Sequence, residues 1–419
     1  MNFADLGLAP ALLSALSAQG LSSATPIQQQ AIPAVLQGRD VVGQAQTGSG
    51  KTLAYALPVL QRLMAVAPSR EDAPRQRPTQ VLILVPTREL ATQVSEVLCD
   101  LARPLAQSIK VGTFFGGVSI NPQLMSLRSG ADVVVATPGR LLDVVNHNAL
   151  HLGQVRQLVL DEADRLLDLG FSNELQRLMD LLPDQRQTLL FSATFEPAVQ
   201  GLAEALLREP VRITIAPTEA HTPNVAQRAI AVDDKKRTAL LRHLISEHPQ
   251  QRMLVFVATR YACEHVANKL YLAGIFATAF HGEMSQGARQ TVLDEFKAGR
   301  WDVVVTTDLA SRGIDIALLP IVVNYDLPRS ATDHTHRIGR TARAGASGLA
   351  VSFVTAEAQA HWRLICKRER LELPLEVLPG FEPTDTPPPP QGNGGVKGKR
   401  PSKKDKLRAA GLRGNPQCG

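Results

Sequence analysis

The sequence predicts an α/β protein of two tandem domains, each a mostly parallel sheet flanked by helices, with a disordered basic C-terminal tail. Short, continuously apolar runs end again and again in a polar turn and then a helical stretch, as strands buried on both faces of a parallel sheet do. That rhythm fills the first half, stops across a polar segment with Pro217 and Pro223, and restarts. A chain of 419 residues has room for two such domains. At the end, residues 391–419 hold eight Lys and Arg against Asp405 alone, a local +7 in a chain of net +6, which leaves the other 390 residues at −1. Pro387 to Pro390 and Gly392, Gly394 and Gly395 set this tail apart. Its composition cannot bury enough apolar surface to fold.

The expected division is an N-terminal segment 1–38, a first domain 39–212, a linker 213–225, a second domain 226–372 and an extension 373–419. Residues 1–38 read as two helical pieces, Pro10 to Gln19 and Pro26 to Gln37, with Thr25 as N-cap and Pro26 at the first helical position. Gln28, in the first turn of the second piece, carries an amide whose donor and acceptor match the two-sided edge of adenine.

The first domain opens on Asp40-Val41-Val42 and runs directly into Ala45-Gln46-Thr47-Gly48-Ser49-Gly50-Lys51-Thr52. This is a strand, a glycine-rich turn and a helix start. Gly48 and Gly50 allow the backbone N–H groups to converge, with Ser49 between them. The helix N-terminus adds partial positive charge, and Lys51 adds a full one. Thr52 places a hydroxyl where a Mg²⁺ bridging terminal phosphates would sit, so the implied ligand is a nucleoside triphosphate. Ala45 stands where the general pattern has a glycine. A helix to about Val66 and an exposed loop marked by Pro68, Pro74 and Pro78 follow.

Four further strand-and-turn units complete this half. Val81 to Val85 ends in Pro86-Thr87-Arg88-Glu89-Leu90, and Asp132 to Ala136 ends in Thr137-Pro138-Gly139-Arg140. Leu158 to Leu160 ends in Asp161-Glu162-Ala163-Asp164, and Thr188 to Phe191 ends in Ser192-Ala193-Thr194. In the second half Leu254 to Val257 leads to Ala258-Thr259-Arg260, Ala277 to Phe280 to His281-Gly282, and Asp302 to Val305 to the stretch Thr306 to Asp315. Ile321 to Asn324 and Leu349 to Phe353 supply two more strands around the basic run His336 to Arg343. Ligands of open parallel sheets bind beyond the carboxyl ends of the strands, so each half presents its polar motifs along one edge, and two facing edges make a cleft.

Only the first half carries a phosphate loop, whereas the second carries the arginine run. One nucleotide shared between the domains follows: Lys51 and Thr52 hold it from one side, and Arg340 and Arg343 reach its terminal phosphate from the other. The plain alternative for Arg337, Arg340 and Arg343 is a solvated helix face. Asp161, at a strand end, can hold Mg²⁺ through its water shell, and Glu162 can orient and deprotonate the attacking water. Adjacent acids also cap helices, but beside a phosphate loop they read as a hydrolytic pair.

Cys99, Cys263, Cys366 and Cys418 show no Cys-x-x-Cys spacing, which gives neither a disulfide framework nor a zinc site. No apolar run approaches the ~18 residues of a membrane span, no basic leader opens the chain, and a soluble cytoplasmic protein is expected. Aromatic residues make up 4%, too few for many base-stacking platforms.

With these motifs in this order, the chain resembles a DEAD-box ATP-dependent RNA helicase from about Phe3 to Asp385. Within that family it is most similar to small bacterial RhlE-like members, through Asn2-Phe3, Gln28-Gln29-Gln30 and Pro379-Gly380-Phe381-Glu382-Pro383. The resemblance implies two RecA-like domains and roles for individual residues. Phe3 and Gln28 would contact adenine, Gly48 to Thr52 the phosphates, and Gly313 and Asp315 the ribose side. Arg340 and Arg343 would act as finger residues. Asp164, Ser192, Thr194 and His336 would couple nucleotide state to domain closure. Arg88, Gly117, Thr137, Arg140, Arg260, Gln286, Arg289 and Thr307 would line an RNA path, reading phosphates and 2′-hydroxyls without regard to sequence. ATP and Mg²⁺ are the implied cofactors. RNA is the implied partner of a monomeric protein, with ribosomal precursors or the RNA-degradation machinery as its setting. The alternative is an ATP-gated RNA clamp or scaffold with little strand separation. His334-Thr335 departs from the family's usual aromatic and aliphatic pair before His336, and Ser311 replaces a common alanine.

Overall fold

The computed structural model describes residues 1–46, 48–66, 77–215, 225–311, 319–341 and 348–385, without the side chains of Gln286, Leu309 and Ser311. The basic tail, Gly313, Asp315 and Arg343 lie outside the described residues.

Two seven-stranded sheets form the body, and every strand pairing in them is parallel. In the first sheet the strands are β1 (Val41–Gln44), β2 (Val81–Leu84), β3 (Val111–Phe114), β4 (Val133–Ala136), β5 (Gln157–Leu160), β6 (Gln187–Ser192) and β7 (Val211–Thr214), in the order β3-β4-β2-β5-β6-β1-β7. The second has β8 (Val225–Ala231), β9 (Met253–Phe256), β10 (Ala277–Phe280), β11 (Val303–Thr306), β12 (Ile321–Asn324), β13 (Gly348–Val354) and β14 (Leu375–Glu376), in the order β10-β11-β9-β12-β13-β8-β14.

The continuous apolar runs are explained by the pleat, since successive side chains point to opposite faces. In β2, Val81 and Ile83 enter the core on one face while Leu82 and Leu84 enter the core on the other. In β11, Val303 and Val305 likewise face one layer and Val304 the opposite one. Each face is covered by helices. No apolar cluster among the described residues draws side chains from both domains.

The strands that sequence reading passed over lie mainly at the sheet margins. β3 and β7 alternate buried and accessible positions because an edge strand has solvent on one flank. Ile213 and Thr214 belong to β7 and pair with Gly43 and Gln44. β14 adds a last parallel strand beside β8. Arg228 grips Glu376 at 2.7 Å, and Asp233 accepts bonds from the Thr384 N–H and hydroxyl and from the Asp385 N–H. Residues 375–385 therefore pack as part of the second sheet's body.

Candidate active site

β1 delivers the chain into the phosphate loop at the carboxyl edge of the first sheet, and the helix Lys51–Val66 leaves it. A Cβ at Gly43 would stand 2.6 Å from the Phe191 ring, so only glycine lets β1 lie this close. Gly50 has φ +92°, and a Cβ there would stand 2.3 Å from Gln28 Nε2. Gln28 donates to the Gly50 carbonyl at 3.1 Å and accepts from the Thr25 N–H at 2.9 Å. The structure thus commits the predicted adenine-reading amide to the phosphate loop and to its own helix cap. Phe3, in the short 3₁₀ helix Phe3–Leu6, is buried in the first core.

Lys51 is buried, and its ammonium donates to the carbonyls of Ala45 at 2.5 Å and Gln46 at 3.1 Å. Ser49 closes the same turn onto the Gln46 carbonyl at 2.7 Å. Burial lowers the Lys51 pKa against the opposing pull of Asp161, Glu162 and Asp164. Gly48, with φ +81°, completes the cradle.

Beyond β5 sits Asp161, 2% exposed. One carboxylate oxygen accepts from the Tyr55 hydroxyl at 2.8 Å and the other from the Glu162 N–H at 2.9 Å. Burial and the adjacent Glu162 charge push its pKa up to about 6, against Lys51 and the Tyr55 bond. Glu162 holds φ +51°, a left-handed conformation costly for a side chain of this kind and found most often at functional sites. Arg165 steadies its carboxylate at 2.9 Å.

Asp164 joins the carboxylate loop to the end of β6. It accepts from the Ala193 N–H, the Thr194 N–H and the Thr194 hydroxyl at 3.2, 2.9 and 3.0 Å, while its own N–H reaches Ser192 Oγ at 3.4 Å. Burial favours the neutral acid, but the Thr194 N–H, His336 and the Thr194 hydroxyl hold its pKa below the usual carboxylate value.

The second domain meets this cluster directly. His336 lies within electrostatic reach of Arg165, Asp164, Glu162 and Arg340; burial first, then Arg165, depress its pKa to about 4. A small recess between the domains is walled by Arg165 from one side and by Phe256, Asp308, His336 and Arg340 from the other. Thr332 donates to Glu196 at 3.2 Å, and Arg289 pairs with Glu89 at 2.7 Å, both across the domain boundary. Arg289, expected along the RNA path, is 3% exposed, and burial lowers its pKa to about 10 despite Glu89. Arg337 is no solvated residue: its guanidinium holds both oxygens of Asp308, at 2.5 and 2.7 Å, and bonds Asn324 at 3.0 Å. The unusual His334-Thr335 pair has a partner of its own. Glu369 accepts from the Thr335 hydroxyl at 2.8 Å and bonds His334 Nδ1 at 2.7 Å, and Trp362 packs edge-on against the imidazole.

Along the carboxyl edge of the first sheet stand Arg88, Gly117, Thr137 and Arg140. Arg88 Nε donates to Glu89 at 2.7 Å, and a Cβ at Gly117 would come within 3.3 Å of the Arg88 guanidinium. Arg140, one turn into the helix that Thr137 caps, donates to the Val118 carbonyl at 2.8 Å. Arg88 Nη2 and Arg140 Nη1 are buried without a hydrogen-bond partner. Buried guanidinium donors left open are costly, and a phosphate oxygen would satisfy them. In the second domain Arg260 opens the helix Arg260–Leu272 and pairs with Glu283 and Glu264, Gln286 opens the helix Gln286–Lys297, and Thr307 follows β11 half-buried. A cavity of about 450 Å³ lies away from this edge, among Gln80, Gly153, Arg156 and Pro183. It gathers no converging chemistry.

Two parallel-sheet domains that share one cleft, with a phosphate loop and carboxylates on one wall and arginine and histidine on the other, define a nucleotide-driven two-domain motor. The chain matches the DEAD/DEAH box helicase family over residues 25–202 and the helicase conserved C-terminal domain over 235–345. It belongs to the DEAD-box ATP-dependent RNA helicases, and Asp161-Glu162-Ala163-Asp164 spells the family's signature. It is 37% identical over 386 residues to the DEAD-box ATP-dependent RNA helicase CshA of Bacillus cereus, covering 90% of this chain and 71% of that one. It is 40% identical over 356 residues to the ATP-dependent rRNA helicase RRP3 of Gibberella zeae, covering 84% and 71%. Among solved structures it is similar to S. cerevisiae Dbp5 bound to RNA and ADP BeF3, with a TM-score of 0.77 at 30% identity over 90% of this chain and 95% of that one. A DEAD box protein from Methanococcus jannaschii is similar at TM-score 0.51 and 33% identity, covering 90% and 99%.

Proposed function

We propose that this helicase closes its two domains around ATP and an RNA backbone, and that hydrolysis reopens them, so that short duplexes are locally unwound or RNA–protein complexes remodelled. The electrostatic link that runs from Thr194 through Asp164 to His336, across a recess shared by Arg165 and His336, carries the reading, because it ties the nucleotide-side loop to the opposite domain. In this reading Lys51 and the phosphate loop hold the triphosphate, Glu162 orients the attacking water, and Arg340 and Arg343 meet the terminal phosphate from the second domain. Phe3 and Gln28 would serve the adenine side, and Gly313 and Asp315, outside the described residues, the ribose side.

No group of three or more His, Cys, Asp or Glu side chains gathers into a metal site among the described residues. One buried carboxylate and one hydroxyl instead suit Mg²⁺, which keeps waters and takes phosphate ligands. Thr52 and Asp161, the latter through water, would hold it, and the ion would neutralise charge on the phosphates. The open donors of Arg88 and Arg140 support RNA phosphates as the ligand of the first domain's edge.

The likeness to RRP3, an rRNA helicase, supports ribosome assembly as the cellular setting, with RNA turnover as the second. The RhlE-like features of the two ends are a narrower proposal, as are a monomeric state and a cytoplasmic site of action. No described helix is long and apolar enough to cross a membrane. The deciding experiment compares a blunt short RNA duplex with one bearing an overhang, with ATP and with a non-hydrolysable analogue. ATP-dependent strand release supports the proposal; RNA protection without release would instead describe an ATP-gated clamp.

A further inference from the structure

The helix leaving the phosphate loop carries a second polar group towards the hydrolytic centre. Tyr55 lies three residues after Thr52, on the same helix face. Its ring is fully buried and packs on Phe191 at a centroid distance of 5.5 Å. Its hydroxyl donates to Asp161 at 2.8 Å. A phenol has one proton. That proton is committed to the Asp161 carboxylate.

Asp161 is fixed at both oxygens, by Tyr55 and by the Glu162 N–H, and so keeps one orientation. The two side chains that would share a metal come from separate elements, the loop helix and the end of β5, and Tyr55 spans the gap between them.

We infer that Tyr55 is a positioning residue for the divalent cation, its hydroxyl tying the Asp161 carboxylate to the loop helix that carries Thr52 before nucleotide arrives. This rests on the metal reading proposed above. Ordering supplied in advance by a buried hydroxyl raises affinity without adding a ligand.

Tyr55→Phe removes one oxygen and leaves the ring on Phe191, so fold and burial are retained. The test uses the full-length protein and a fluorescent ADP analogue, titrated with Mg²⁺ and separately in EDTA. In the wild type, Mg²⁺ tightens nucleotide binding. In Tyr55→Phe, the Mg²⁺ concentration for half-maximal tightening rises about 10- to 100-fold, as loss of one hydrogen bond to a charged group implies, while affinity in EDTA stays within about twofold. A variant midpoint equal to that of the wild type overturns the inference. So does an equal loss of affinity in EDTA, which marks Tyr55 as a packing residue only. Wild-type binding indifferent to Mg²⁺ overturns the metal reading itself, a distinguishable failure.

Discussion

Acidification should open this motor, and His336 sets the window. In the closed arrangement burial and Arg165 lower its pKa from 6.5 to about 4. The groups that surround it, Arg165, Asp164 and Glu162, belong to the other domain, so opening returns the imidazole to water and to its ordinary value. A depressed value means that the closed state rejects the proton. The contribution to closure is therefore complete above about pH 6.5 and is lost as pH falls towards 4. Between those limits the linkage amounts to ~3 kcal/mol, and at pH 5.5 closure should be ~10-fold weaker than at pH 7.5. The assay is energy transfer between one dye on each domain, recorded with RNA and a non-hydrolysable ATP analogue. His336→Asn should flatten the profile between pH 7.5 and 5.5. A profile in that variant as steep as the wild-type one, or closure that strengthens in acid, would refute the reasoning.

Three further outcomes are expected. Glu162→Gln should keep ATP affinity while turnover falls by ~10² to 10⁴, with the RNA complex persisting in ATP; RNA release at the wild-type rate would remove Glu162 from the hydrolytic role. Glu369→Ala deprives buried His334 of its partner, and chemical denaturation should show a loss of about 1 to 3 kcal/mol; an unchanged midpoint would mean that water replaces the carboxylate. Deleting residues 391–419 should flatten the log–log salt dependence of single-stranded RNA binding by about 1.4, as for two lost phosphate contacts, with RNA-saturated ATP turnover preserved. An unchanged slope would reduce the tail to a solubility segment.

Much of this architecture could be read from the chain because a doubly covered parallel sheet writes its strands as unbroken apolar runs. Val81 to Leu84 and Val303 to Val305 feed both layers at once, and the polar turn after each run marks the catalytic edge. The marginal strands left weaker marks: Val111–Phe114 mixes glycine and threonine with its apolar residues, and β14 is two residues long. Pairings across long separations left none. Arg289 and Glu89 stand 200 positions apart, and no local pattern joins them. Arg337 looked like its basic neighbours in sequence, but the fold buries it against Asp308. Tyr55 carries no signal of its own in the sequence, since its hydroxyl acquires meaning only when β5 brings Asp161 beside it.

Among the described residues every apolar cluster stays within one domain, and the polar contacts named between domains are those of Arg289, Thr332 and His336 with their counterparts. Among the described residues, separation therefore divides no apolar cluster. In the proposed cycle the described faces can part and rejoin without breaking an apolar core, and water can stand in for each lost polar bond. The joint is therefore one of replaceable polar bonds, and the core of each domain stays whole while the cleft opens.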